Sequence, residues 1–252
     1  MQGAVSDGVE MIKIFLPLLL ILLTACAEIP KMEPVVQLSP MPKIELEKDI
    51  PNDSWVKIYF EGFETRRFDP SNLKKGGEIV KHSGLDEYAR QNRLLVLREN
   101  ILPENDLEIR IWVGFGLYGH DGLIIKRSSG NWSVVNLRQM LCHIDERVDD
   151  RGTYSLEVPK SGWEAMWQKL VDAEILTLPD SSKLKYEHGV LDGKSYVVET
   201  NSDYFYRTYH YGNPNYSELK EAKQMIKISE IIADEFGLES FSIKTVSCSK
   251  DE

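Results

Sequence analysis

A chain of 252 residues, 42% apolar and 28% charged, is long enough to bury an adequate core in one large or two small domains. Its 40 acidic and 30 basic residues give a formal charge of -10 at neutral pH. That balance argues against nucleic acid as a partner and against adhesion to anionic lipid headgroups by charge.

The chain opens on what reads as an export signal. Lys13 supplies positive charge, Ile14–Leu23 an apolar core, and Thr24-Ala25 small residues at a cut, in the order of a secretory leader. Ten apolar residues fall short of the roughly 20 that a spanning helix needs, and Pro30, Lys31 and Glu33 follow almost at once, so a leader is favoured over an uncleaved anchor. Asp7 and Glu10 place negative charge where a leader carries positive charge, which makes Met11 the better start within a signal peptide spanning 1–25. The closing residues, Leu23-Thr24-Ala25-Cys26, resemble the lipobox of bacterial lipoproteins. The resemblance implies cleavage before Cys26 by signal peptidase II, a diacylglyceryl thioether on its sulfur, and an acyl chain such as palmitate on its amino group. Several chains anchor a protein without any spanning helix, because each buried methylene contributes about 0.8 kcal/mol. In such lipoproteins Asp after the cysteine retains the protein in the inner membrane. Ala27 therefore implies the outer membrane, facing the periplasm, with the inner membrane as the alternative.

Residues 26–51 follow as a tether. Pro30, Pro34, Pro40, Pro42 and Pro51 favour extended geometry at about 3.1 Å per residue and remove donors that a sheet would need. Loss of Asp7, Glu10 and Lys13 with the leader leaves a mature charge of -9. With Cys26 assigned to lipid, Cys142 and Cys248 remain as an even pair in an oxidising compartment, and a disulfide between them is expected. The alternative role, Cys142 as a nucleophile beside His143, suffers because neighbours along a strand point to opposite faces.

The remainder, 52–252, reads as a globular α+β domain. Strands are expected at Trp55–Phe60, Leu94–Leu97 and Leu107–Phe115, the last alternating through Ile109, Ile111 and Val113. Gly122–Arg127 and Trp132–Leu137 flank Ser128-Ser129-Gly130-Asn131 as a hairpin. Ser161 and Glu164 form the pattern of a capping box ahead of Trp163, Met166, Trp167, Leu170 and Val171, which recur at helical spacing until Leu178-Pro179. Ser195–Thr200 and Tyr204–Tyr211 make a second hairpin around Asn201-Ser202-Asp203. A second helix runs from about Ser217 to Phe236 with Gly237 as its stop, its apolar arc formed by Leu219, Ala222, Met225, Ile226, Ile232, Ala233 and Phe236. The expected architecture is mainly antiparallel sheet built of hairpins, with two amphipathic helices packed on it. Asp121-Gly122 and Asp192-Gly193 precede the two hairpins, so 52–180 and 181–252 are candidate similar halves.

Catalytic patterns are sparse. Ser71–Lys74, Ser182–Lys185 and Ser217–Lys220 all satisfy S-x-x-K, and three matches make that pattern uninformative. His82, His120, His143, His188 and His210 lack zinc-ligand spacing. Asp145, Glu146, Asp149 and Asp150 lack the alternation and glycine of a calcium loop, and Arg147 and Arg151 sit among them. No catalytic residue, metal or cofactor is predicted. The sharper candidate is Tyr204–Tyr211, where the pleat puts Tyr204, Tyr206, Thr208 and His210 on one face and Phe205, Arg207, Tyr209 and Tyr211 on the other. Covered on one face only, this strand would display a binding surface of aromatic rings with Arg207 or His210; covered on both, it is core. The C-terminal half resembles uncharacterised bacterial envelope lipoproteins, a resemblance that carries no biochemistry. The sequence thus supports a lipid-anchored protein that binds an envelope protein or cell-wall glycan. The rivals are an envelope hydrolase using His210 or Asp192, and an inhibitor or immunity protein acting through a loop beside a Cys142–Cys248 bridge.

Overall fold

The computed structural model describes residues 49–67, 78–116, 119–141, 148–185, 193–203 and 205–238. Cys26, Cys142, Cys248, Asp192 and Tyr204 lie outside the described residues, as do the leader, His143, His188 and the tether up to residue 48. The chain divides into units Met1–Pro42 and Lys43–Glu252, and every described residue belongs to the second.

The fold is α+β, centred on a six-stranded antiparallel sheet. Its strands are β3 (Leu107–Gly116), β4 (Gly119–Ser128), β5 (Asn131–Leu141), β6 (Val148–Ser155), β7 (Ser195–Ser202) and β8 (Tyr206–Gly212), in the order β6-β5-β4-β3-β7-β8. A separate hairpin pairs β1 (Gly62–Arg67) with β2 (Glu78–Ser83). The expected hairpins both form. Ser129 and Gly130 turn β4 into β5 with φ of 50° and 81°, the left-handed pair that suits a two-residue connection. Central β3 pairs with β4 on one side and β7 on the other, so a single sheet carries strands from both 52–180 and 181–252.

The pleat of β3 sorts the core into two layers. Leu107, Ile109, Ile111 and Val113 face one way and are fully buried. On that side lie α3 (Trp163–Asp172) and α4 (Lys220–Glu235), which bury Met166, Trp167, Leu170, Ala222, Met225, Ile228 and Ile232. Gly237, at φ 62°, follows the end of α4 as expected. The capping box does not form. Gly162 is the N-cap of α3, while Ser161 instead gives its backbone N–H and hydroxyl to Glu235 at 2.9 and 2.7 Å, joining the start of α3 to the end of α4.

The other face of β3 bears Glu108, Arg110 and Trp112, and it too is buried. Trp112 packs with Ile124, Leu137 and Val197 against Trp55, Phe60, Leu85 and Tyr88 from an N-terminal layer. This layer corrects two expectations. Trp55–Phe60 is not a strand: α1 (Ser54–Val56), which buries Trp55, runs into a π-helical stretch, Lys57–Glu61, which buries Phe60. Leu94–Leu97 is not a strand either; Val96 and Leu97 are buried, and Leu97–Glu99 forms a single 3-10 turn. Among the described residues no helix is long and apolar enough to cross a membrane.

Candidate functional site

The aromatic strand is interior on both faces. Tyr206, Arg207, Tyr209, His210 and Tyr211 are 2, 5, 1, 6 and 0% exposed, so β8 shows solvent no aromatic surface and the core alternative holds for its described residues. On the helix side, Arg207 donates to the carbonyl oxygens of Leu176 and Leu178, Tyr209 to that of Ile175 at 3.0 Å, and Tyr211 to that of Pro179 at 2.6 Å. Burial and the loss of hydration push the Tyr209 phenol up, with Arg207 opposing in part. Although β8 ends the strand order, its outer edge is occupied. Asp49 bridges it in parallel through Asp49 N–H to the Tyr206 carbonyl (3.2 Å) and Thr208 N–H to the Asp49 carbonyl (3.3 Å), and the Asp180 carboxylate accepts the His210 N–H at 2.8 Å. A strand so capped offers little for a partner strand to pair with.

His120 and His210 belong to the N-terminal core layer. His210 stacks on Trp55 at 5.2 Å and lies 5.1 Å from Tyr59; His120 stacks on Phe115 at 5.8 Å and meets Tyr88 edge-on at 4.4 Å. In a further aromatic group Trp132 and Trp163 stack, parallel within 7° at 5.8 Å, and Phe236 tilts against Trp163 at 6.4 Å.

The described residues line a surface cleft of about 630 Å³ where the π-helical stretch, the β1–β2 hairpin, α2 (Leu85–Gln91) and the 97–99 turn meet. Two glycines shape it. Gly62 leaves the π-helix at φ 87° and starts β1, a backbone angle that side chains rarely adopt. Gly84, the N-cap of α2, lies directly against the backbone of Phe60 and Gly62, so α2 docks with no side chain between. Half-exposed Phe63 is among the residues that line it.

Charge dominates the lining. Lys81 pairs with Glu64 at 3.3 Å and Arg90 with Glu87 at 3.9 Å on the rim, while Arg98 binds Asp86 through two parallel hydrogen bonds at the floor. The Arg98 guanidinium also lies 5.0 Å from the centre of the Phe60 ring. Burial lowers its pKa, but Asp86 more than offsets that and holds it above the ordinary value.

Arg98 also feels Glu199 and Tyr206, which belong to a buried ionic network on the sheet. Glu199 on β7 pairs in register with Arg110 on β3 and accepts hydrogen bonds from Trp112 Nε1 at 2.8 Å and the Tyr206 hydroxyl at 3.0 Å. Arg110 in turn contacts Glu108 at 2.7 Å, and Lys126 reaches the same carboxylate at 2.8 Å. Burial pushes the Glu199 carboxyl up; Arg110 and the two donors counter this only in part. Tyr206 is driven well above its usual value by burial and by the Glu199 charge.

Chemically, the cleft gathers carboxylates and cations, while His120 and His210 sit in aromatic packing. No group of His, Cys, Asp and Glu among the described residues is arranged to hold a metal ion. None of the cleft residues was legible in the sequence as a site. The available signal was Gly84 followed by Asp86 and Glu87, a helix start with acidic residues in its first turn. No family model, curated protein or solved structure matches the chain.

Proposed function

We propose that this chain is a lipoprotein of the bacterial envelope, held through Cys26 in the outer membrane and facing the periplasm, that acts by binding an envelope component rather than by catalysis. The lipobox Leu23-Thr24-Ala25-Cys26 supports the location. The observation that carries the binding role is the cleft between the π-helical stretch and α2, open at the surface, floored by the Asp86–Arg98 pair and lined in part by Phe63, which is 44% exposed. An exposed Phe and an Arg are residue types enriched at partner surfaces, whereas the aromatic strand β8 is consumed by the core.

Radiolabelled palmitate incorporation and membrane fractionation of the full chain, with Cys26→Ala as comparison, test the anchor: label and membrane association are both lost in the variant. Formaldehyde cross-linking in cells, followed by co-purification, tests the cleft. A discrete partner captured by the unaltered chain and lost on Phe63→Ala supports the reading; a partner retained at full yield in that variant contradicts it.

A further inference from the structure

The chain leaves the cleft on a loop whose backbone is fixed at both ends. Arg98 and Glu99 are the last residues of the cleft lining in chain order, and residues 100–106 run from there to the start of β3. From β7 the buried Asn201 commits both side-chain amide hydrogens to this segment, donating to the carbonyls of Leu97 and Asn100 at 2.7 Å each. Asn100 donates its own side-chain amide to the Val96 carbonyl at 2.7 Å. At the far end the buried Asp106 carboxylate accepts the Ser128 hydroxyl at 2.6 Å and the Ser129 N–H at 2.9 Å, and the Asp106 N–H closes a turn onto the Pro103 carbonyl at 3.0 Å. Between these pins stands Ile101, 75% exposed, more than any other large apolar side chain among the described residues.

A single exposed isoleucine is ordinary on a protein surface. Held on a pinned backbone, it differs in what binding costs: the loop is already ordered in the free protein, so a partner that buries the side chain gains its transfer free energy without having to order the chain. Charge narrows the partner. Glu99 and Glu104 are exposed on either side of Ile101 in the sequence, and 99–106 contains no basic residue, so a pocket with a basic rim is favoured over an acidic one.

We infer that loop 100–106 is a second contact for the partner that occupies the cleft: Ile101 inserts into an aliphatic pocket of that partner, with lysine or arginine of its rim beside Glu99 and Glu104. The inference rests on the binding role assigned above and carries it along the chain from Glu99.

The test places a photoreactive amino acid at position 101 of the full chain in cells, with position 158 as comparison, where Val158 is 64% exposed elsewhere. The expected result is capture from position 101, and not from 158, of the same protein that position 63 captures. Calorimetry of that purified protein with the lipidated chain in neutral detergent then reads the pocket. Ile101→Val should weaken binding about fourfold, one buried methylene, and Ile101→Asp about a hundredfold. Pro103→Gly, which loosens the loop, should cost about fivefold, and Glu104→Lys about tenfold. Val158→Asp should leave affinity within about twofold. Undiminished binding by Ile101→Asp, or equal weakening by Val158→Asp, overturns the inference. If position 63 captures a partner and position 101 captures none or a different one, the cleft stands and the loop contact falls; capture from position 101 alone refutes the cleft and, with it, the shared partner.

Discussion

Gly84 and Phe60 meet backbone to backbone: a Cβ on Gly84 would lie 2.2 Å from the Phe60 carbonyl oxygen. Since the neighbouring atoms are main chain, they cannot swing aside as a flexible side chain would. Gly84→Ala must push α2 off the π-helical stretch, and an overpacked joint of this kind costs about 1–3 kcal/mol. Urea unfolding should show that loss in the midpoint. The same variant should lose partner capture, because the two elements that it separates are the walls of the cleft.

Glu199 predicts a dependence of stability on pH. Its carboxyl is raised in the folded protein by burial. The folded state therefore holds a proton that the unfolded chain has released, and this contribution is present below the ordinary carboxylate range and lost as pH rises through the raised folded value. Glu199→Gln removes that part of the slope. Unfolding midpoints measured across this window should flatten relative to the unaltered chain, at a cost of about 1–3 kcal/mol for one mispaired hydrogen bond with Trp112 or Tyr206.

Glu235 behaves in the opposite sense. Burial raises its carboxyl, but Lys169 and the two donors of Ser161 outweigh that and hold it below the usual range. Its stabilisation is present above the unfolded carboxyl pKa and is lost as pH falls through the depressed value. Glu235→Ala removes the tie between α3 and α4 and leaves the Ser161 N–H without its acceptor, for a loss of about 2–3 kcal/mol at neutral pH. Acid unfolding curves of the variant and the unaltered chain should converge at low pH.

The cysteine count yields a covalent prediction. Pairing Cys142 with Cys248 closes a loop of about 100 residues, for which loss of the bridge costs about 2–5 kcal/mol. Non-reducing mass spectrometry of the protein purified from cells should find the two peptides joined. Cys142→Ser should lower the unfolding midpoint by as much as reduction does, and reduction should then have no further effect.

Elements governed by one period were legible; those set by two-sided burial were not. Ile109, Ile111 and Val113 alternate because one face of β3 meets α3 and α4, and Ser129-Gly130 marks the β4–β5 turn by taking two left-handed residues. The opposite face of β3 reads as solvent-facing because it carries Glu108 and Arg110, yet both are buried, their charges cancelling across 2.7 Å. Trp55–Phe60 misleads for a different reason: Trp55 is buried from α1 and Phe60 from the π-helical stretch after it, a five-residue interval that neither the strand nor the α-helical template contains. Tyr206, Tyr209 and Tyr211 look like an interface because phenols suit one, but their hydroxyls are spent on Glu199 across the hairpin and on the carbonyls of Ile175 and Pro179, more than thirty residues earlier in the chain.

The most direct measurement is site-specific photo-cross-linking in living cells, with a photoreactive amino acid placed at position 63 in the cleft lining and, separately, at position 216, where Tyr216 is 73% exposed outside the cleft. The account predicts a discrete cross-linked partner from position 63 that is absent from position 216 and is lost when Cys26→Ala releases the protein from the membrane. Cross-linking from position 216 with none from position 63 would contradict the cleft as the binding surface.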